Sequence, residues 1–393
     1  MQKNNYPYLA MSLLKKSLIH HKKKPGDLID NLLGEVASLE NEVLFQTLSF
    51  GHLKFSTANI IKYLRGIHYF RIGKYKKALF EFRQIPEDST FYSKSLFVIG
   101  MMFNYNERYE SAQRSFQLCL KRLSPTDETE IRLSDKEATL RDMCEIAIPR
   151  VQYKLNTPDE TYKLYEAIKI DSSRWPNALL EQSWLSYQNS NYSKSIAKAL
   201  LLQKSEFNHL NLIESQILVV LNFYKNCYFD SLLSFSDHSI KLLNEQKEKF
   251  SNLKKAVWNL EDPYVKKRIA AMEGIQKEAD RLKKVKETWV REAYLDMLES
   301  EYNLLREQAT IFGKKKLENM VKSIENTKKD ILAIKLKAVN KMKGYKQSPV
   351  APQTKEKQQK NIVKWSFGKE FWPDEIKNIK TEFPNRCELI GEV

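Results

Sequence analysis

Residues Tyr63 to Pro86 read YLRGIHYFRIGKYKKALFEFRQIP, and residues Phe97 to Leu120 read FVIGMMFNYNERYESAQRSFQLCL. The two stretches begin 34 residues apart (97 − 63), and five of six marked offsets agree. Gly66, Tyr69, Tyr75, Ala78 and Phe82 of the first correspond to Gly100, Phe103, Tyr109, Ala112 and Phe116 of the second. Only Gly73 is replaced, by Glu107. The offsets have a physical meaning, since small residues let two antiparallel helices approach closely, and aromatics fill the space beside them and reach the next unit. A period of this length predicts a stacked array of helical hairpins.

Weaker copies follow in the same register. Pro149, Thr161 and Tyr165 fall at matching places, then Ser183, Tyr192 and Ser195, then Val219, Tyr228, Ser231 and Phe235. First-helix markers at 66, 100, 149, 183 and 219 are separated by 34, 49, 34 and 36 residues. The long step holds Ser124 to Lys136, a polar, acidic stretch predicted to be a surface loop. A solenoid of about five repeats is expected over 59–243, with a helical N-terminal cap over 1–58 that covers the first repeat.

This pattern resembles the tetratricopeptide repeat (TPR), a helix-turn-helix unit, and the implied fold is an all-α TPR solenoid. WPNALLEQSWLSYQNSNYSKSI (Trp175 to Ile196), FYKNCYFDS (Phe223 to Ser231) and WSFGKEFWPDEIKNIKTEFPNRC (Trp365 to Cys387) look similar to envelope-associated TPR proteins of gliding and predatory bacteria. Within the last stretch Lys369 separates Gly368 from Glu370, Phe371 and Trp372, a departure from the tails it resembles. The resemblance implies a periplasmic or cell-envelope scaffold in an assembly linked to bacterial motility. A cytoplasmic protein is the alternative, because no secretory signal is visible near Met1.

Beyond the repeats the period changes. Val265, Ile269, Met272, Ile275, Ala279, Leu282, Val285, Trp289 and Ala293 are spaced as heptads, predicting a coiled-coil-like helical arm over 244–345. Asp262 before Pro263 marks a helix start. Gly313 stands between this run and a second with Leu317, Val321, Ile324 and Ile331, as a turn between antiparallel arms or a weak point in a longer helix. Folding back within the chain and coiled-coil formation between copies both fit, so a homo-oligomer is one outcome. Residues 346–361 are polar with two prolines and read as a flexible linker. Residues 362–393 form a short aromatic C-terminal tail whose Trp365, Phe371 and Trp372 are expected to dock, in cis or on a partner.

The 393 residues carry a net charge of +16. Residues 311 to 345 hold 10 basic and 3 acidic side chains, a local excess of 10 − 3 = +7. Such a field suits an acidic protein, nucleic acid or an anionic membrane surface. No run of about 18 apolar residues is present to span a bilayer. Cys119, Cys144, Cys227 and Cys387 lack metal-site spacing, so no metal is expected. Cys119 and Cys144 sit at apolar helical positions and read as buried free thiols. Cys227, in the turn of the last repeat, and Cys387, closing the tail, fit either unrelated thiols or a disulfide stapling tail to solenoid.

No phosphate-binding glycine loop, dinucleotide fingerprint, zinc-protease motif or nucleophile elbow occurs, and the six histidines have no catalytic neighbours in sequence. The chain therefore reads as a non-enzymatic scaffold for protein–protein interaction without a cofactor, with lysine-rich nucleic-acid association as the alternative. Lys62, Arg65, Tyr69, Asn104 and Asn222, beside the core markers on first helices, are the candidate partner contacts on the solenoid.

Overall fold

The computed structural model describes residues 6–20, 30–33, 42–46, 56–124, 133–203, 212–250, 257–260, 262–285, 288–347 and 385–387. Every regular element among them is an α-helix. They are α1 (Pro7–His20), α2 (Glu42–Phe45), α3 (Asn59–Arg71), α4 (Tyr75–Arg83), α5 (Tyr92–Tyr105), α6 (Tyr109–Arg122) and α7 (Asp135–Lys154). Then come α8 (Pro158–Glu166), α9 (Trp175–Gln188), α10 (Tyr192–Leu201), α11 (Leu212–Lys225), α12 (Phe229–Lys249), α13 (Pro263–Leu282) and α14 (Thr288–Gln347).

Five helical hairpins, α3/α4 to α11/α12, turn on one residue each with a left-handed backbone: Gly73, Glu107, Asn156, Ser190 and Cys227, with φ between 57° and 73°. The amide after the turn residue closes back on the first helix. Lys74 donates to the Tyr69 carbonyl (2.8 Å), Arg108 to Phe103 (2.9 Å), Asn191 to Ser186 (2.8 Å) and Tyr228 to Phe223 (2.9 Å). This six-residue closure satisfies carbonyls that the end of a helix leaves open. Glu107, the mismatch in the repeat, takes up the same left-handed geometry as Gly73.

The turns correct the register of the fifth repeat. Positions 73, 107, 156, 190 and 227 are 34, 49, 34 and 37 residues apart, so the last step is 37 rather than 36. The fifth set is therefore Val220, Phe229, Leu232 and Ser236, not Val219, Tyr228, Ser231 and Phe235. Burial agrees: Val220, Leu232 and Ser236 are fully buried, whereas Ser231 is exposed. Leu218, Val219 and Val220 are all fully buried, so apolar pattern alone did not separate the two registers.

The small residues act as expected. A Cβ on Gly66 would lie 2.4 Å from Phe82 Cε1, and one on Gly100 would lie 2.6 Å from Phe116 Cε1. In the fourth hairpin Ser183 Oγ donates to the Ser195 carbonyl at 2.6 Å, so a buried hydrogen bond replaces the glycine–aromatic contact. α7 begins on a capping box, in which the Ser134 hydroxyl accepts from the Glu137 amide and the Glu137 carboxylate accepts from the Ser134 amide.

The chain divides into two units, residues 1–164 with 251–319, and residues 165–250 with 320–393. The arm expected at 244–345 is thus shared between them. In the first unit Ile60, Ile61, Tyr63 and Leu64 of α3 join one core with residues of α1, α2, α13 and α14, among them Leu9, Phe45, Met272 and Leu298. Glu278 of α13 caps α1, its carboxylate accepting the Tyr8 and Leu9 amides at 2.8 and 3.0 Å. Lys15 of α1 donates to both oxygens of Glu301 on α14. Gly313 is not a turn: it lies inside α14, where a Cβ would meet Val257 Cγ1 at 2.6 Å.

In the second unit Ile324, Ile331 and Ala338 of α14 are fully buried with Val220, Phe229, Leu232 and Leu243 of the last hairpin. Lys247–Glu325 (2.8 Å) and Lys335–Asp237 ion pairs flank this seam. The apolar line of the second run, Ile324 and Ile331 with Ala338, is therefore covered within the chain.

All four cysteines are disulfide-bonded. Cys119 and Cys144, read as free thiols, join α6 to α7 with Cα atoms 6.1 Å apart. The polar insertion separates them in sequence, and the packing of α6 on α7 brings them together, which local pattern does not reveal. Cys227 and Cys387 are joined with Cα atoms 5.1 Å apart.

Candidate partner-binding surface

The residues singled out on first helices divide by environment. Arg65 is buried: it pairs with Glu81 (2.8 Å) and donates to the Ser56 carbonyl (2.6 Å). Asn222 is fully buried, donating to Ser195 Oγ (2.9 Å) and the Leu218 carbonyl (2.8 Å). These two are corrected from partner contacts to internal packing residues, because Arg65 turns onto Glu81 of α4 and Asn222 onto Ser195 of α10. Lys62 donates to the Gln84 carbonyl at the end of α4 (3.2 Å), and Tyr69 lies half-buried with the Lys77 ammonium 5.8 Å from its ring. Both face their own hairpin partner. Asn104 is exposed at the end of α5. Trp365, Phe371 and Trp372 lie outside the described residues, as do residues 348–361 of the expected linker, whose first two residues, Lys346 and Gln347, instead end α14. Of the tail, Asn385 to Cys387 are described. The Arg386 amide donates to the Asn226 carbonyl (3.2 Å) and its guanidinium stands 4.2 Å from the Tyr228 ring centre.

The surface of which the sequence singled out Asn104 alone is the turn edge of the first two hairpins. A ring four residues beyond the first-helix marker packs across the turn onto a ring two residues beyond the turn residue: Phe70 on Tyr75 (6.0 Å), Tyr187 on Tyr192 (5.5 Å) and Tyr224 on Phe229 (6.3 Å). Asn104 occupies that place in the second hairpin, so the clasp is missing there. Tyr105, 70% exposed, instead approaches Tyr75 of the first hairpin, ring to ring at 5.8 Å. Desolvation first, then the hydrogen bond with Tyr105, raises the Tyr75 phenol above the ordinary tyrosine value. Ile72, 48% exposed, stands beside Gly73 on this edge. Two tyrosines and an isoleucine with a polar rim make an amphipathic contact area of the kind enriched at interfaces. Its one available signal was the interruption at Asn104 of an aromatic position that recurs elsewhere.

In the second unit Lys198 is largely buried. Desolvation lowers its pKa to about 8, with Glu166 opposing and Lys194 reinforcing the shift. No group of three or more His, Cys, Asp or Glu able to hold a metal ion occurs among the described residues. Among the same residues no helix is long and apolar enough to cross a membrane.

No protein-family model matches this chain, and no curated protein matches it either.

Proposed function

We propose that this chain is a non-enzymatic TPR-type scaffold that binds a protein partner in an oxidising compartment, the bacterial cell envelope. The observation that carries the reading is the hairpin turn recurring five times with one left-handed residue each. A modular array of this kind builds extended surface rather than a reaction pocket. The contact area is the turn edge around Ile72, Tyr75, Asn104 and Tyr105, since the first-helix face of the opening hairpin is already filled by the chain's own α1, α13 and α14. Four cysteines engaged in two disulfides support the compartment, because such bonds persist where the surroundings are oxidising.

Cross-linking the full-length protein in envelope fractions, beside Tyr105→Glu, tests the reading. The same partner should be captured by the wild type and lost in Tyr105→Glu at unchanged thermal stability. Equal capture by both would move the contact elsewhere. Salt-sensitive retardation of DNA without any protein partner would favour the nucleic-acid alternative instead.

A further inference from the structure

Within the second unit α14 has two opposed lines of residues at seven-residue spacing. Ile324, Ile331 and Ala338 form the inner line, fully buried against the last hairpin. Lys322, Lys329, Leu336 and Lys343 form the outer line, all exposed and extending over about 32 Å at the helical rise. Leu332, one turn before Leu336, joins this face. The two leucines are 50% and 63% exposed, side by side on this face. The lysines on the flanks of the inner line are held: Lys328 by Glu325 and Lys335 by Asp237. Lys322, Lys329 and Lys343 have no carboxylate partner among the described residues. Asp330 is the exposed acid of the segment, and Glu325 is already held by Lys247 and Lys328.

We propose that this outer face docks on the surface of an anionic phospholipid bilayer, with Leu332 and Leu336 entering the interfacial region and Lys322, Lys329 and Lys343 meeting the phosphates. Charge selects the occupant. A second copy of the face would bring lysine against lysine. Nucleic acid would satisfy the lysines and leave the leucines in water. A bilayer interface accepts both, and leucines flanked by lysines on one helical face are the arrangement that lies in its plane. The segment is already folded, its inner line seated on α12, so docking orders nothing new. This inference is independent of the partner surface at the first two hairpins.

Co-sedimentation of the full-length, disulfide-intact protein with phosphatidylglycerol-containing vesicles, against pure phosphatidylcholine vesicles, tests it. Binding should be confined to the anionic vesicles and fall with salt. Removing the charges in Lys322→Ala/Lys329→Ala/Lys343→Ala should weaken it, at roughly fivefold per lysine. Leu332→Ser/Leu336→Ser should weaken vesicle binding further while leaving any DNA retardation unchanged. All five positions are exposed, and thermal unfolding would verify that each variant keeps its fold. Tyr105→Glu should bind vesicles like the wild type, which separates failure here from failure of the partner surface. Absence of vesicle binding, equal binding to neutral vesicles, or an unaffected lysine or leucine variant would overturn the proposal. So would DNA retardation lost in the lysine variant without any vesicle binding.

Discussion

Gly66 shows how much a single missing methyl can decide. Its backbone lies so close to Phe82 that an added Cβ would meet ring carbons at 2.4 to 2.8 Å, and Gly100 stands in the same relation to Phe116. The ring is held at the centre of the hairpin, only 1% exposed, and has little room to yield. Gly66→Ala is therefore expected to destabilise the chain by about 1–3 kcal/mol despite alanine's better helix propensity. Pairing it with Phe82→Leu should recover part of the loss in thermal unfolding, and an unchanged melting point for Gly66→Ala would contradict the contact. Lys198 is a residue-scale case of opposite kind. Its folded pKa, lowered to about 8 from 10.5, means that the unfolded chain binds more protons between those values. Stability then rises with pH across that window, and the contribution is lost as pH falls through 8. Lys198→Met, which keeps the buried stem and removes the charge, should raise stability at pH 7 and flatten that rise. Denaturant midpoints at pH 7 and pH 10 would read both effects.

At the scale of the element, the five turns set helix length and register more firmly than side-chain packing does. A non-glycine residue in the left-handed region costs of order 1 kcal/mol, so Glu107→Gly is expected to stabilise the second hairpin by up to about 1 kcal/mol, measurable as a shifted denaturant midpoint. Asn104→Tyr, which restores the ring that Phe70, Tyr153, Tyr187 and Tyr224 supply in the four other hairpins, should stabilise the same hairpin and cover part of the Tyr75 edge. The first two hairpins were legible because glycine and aromatic residues carry the close approach there. Later hairpins achieve it by different chemistry, as where Ser183 bonds the Ser195 carbonyl, so residue identity faded while geometry persisted. In the fifth, three successive buried residues hid a one-residue shift until the left-handed Cys227 fixed it. Arg65 and Asn222 were read as surface because the repeat pattern marks only its small and aromatic positions. It does not show that these two polar side chains turn inward, Arg65 to Glu81 of α4 and Asn222 to Ser195 of α10. Gly313, open in the sequence between a turn and a point within a longer helix, is the second: it lies inside α14 and serves close approach to Val257, a contact across sequence.

At the scale of the whole molecule, the two disulfides reach beyond what the helices hold by themselves. Cys119–Cys144 closes a loop across the polar insertion, and its cysteines are fully buried. Cys227–Cys387 fixes a short docked stretch, where the Arg386 amide bonds the turn carbonyl of Asn226, and the two cysteines are 160 residues apart in sequence. Crosslinks stabilise chiefly by restricting the unfolded chain. Cys119→Ala/Cys144→Ala should therefore cost about 2–4 kcal/mol. Cys387→Ala should instead release the tail, seen as proteolytic loss of the C-terminal segment while the hairpins stay folded. The proposed compartment can be tested through the same bonds. Protein recovered from an oxidising envelope and denatured without reductant should take up no thiol label, and reduction should then expose four labelled cysteines. If protein from its native location labels at Cys119 and Cys144 as well as at Cys227 and Cys387, the surroundings are reducing and the envelope placement fails.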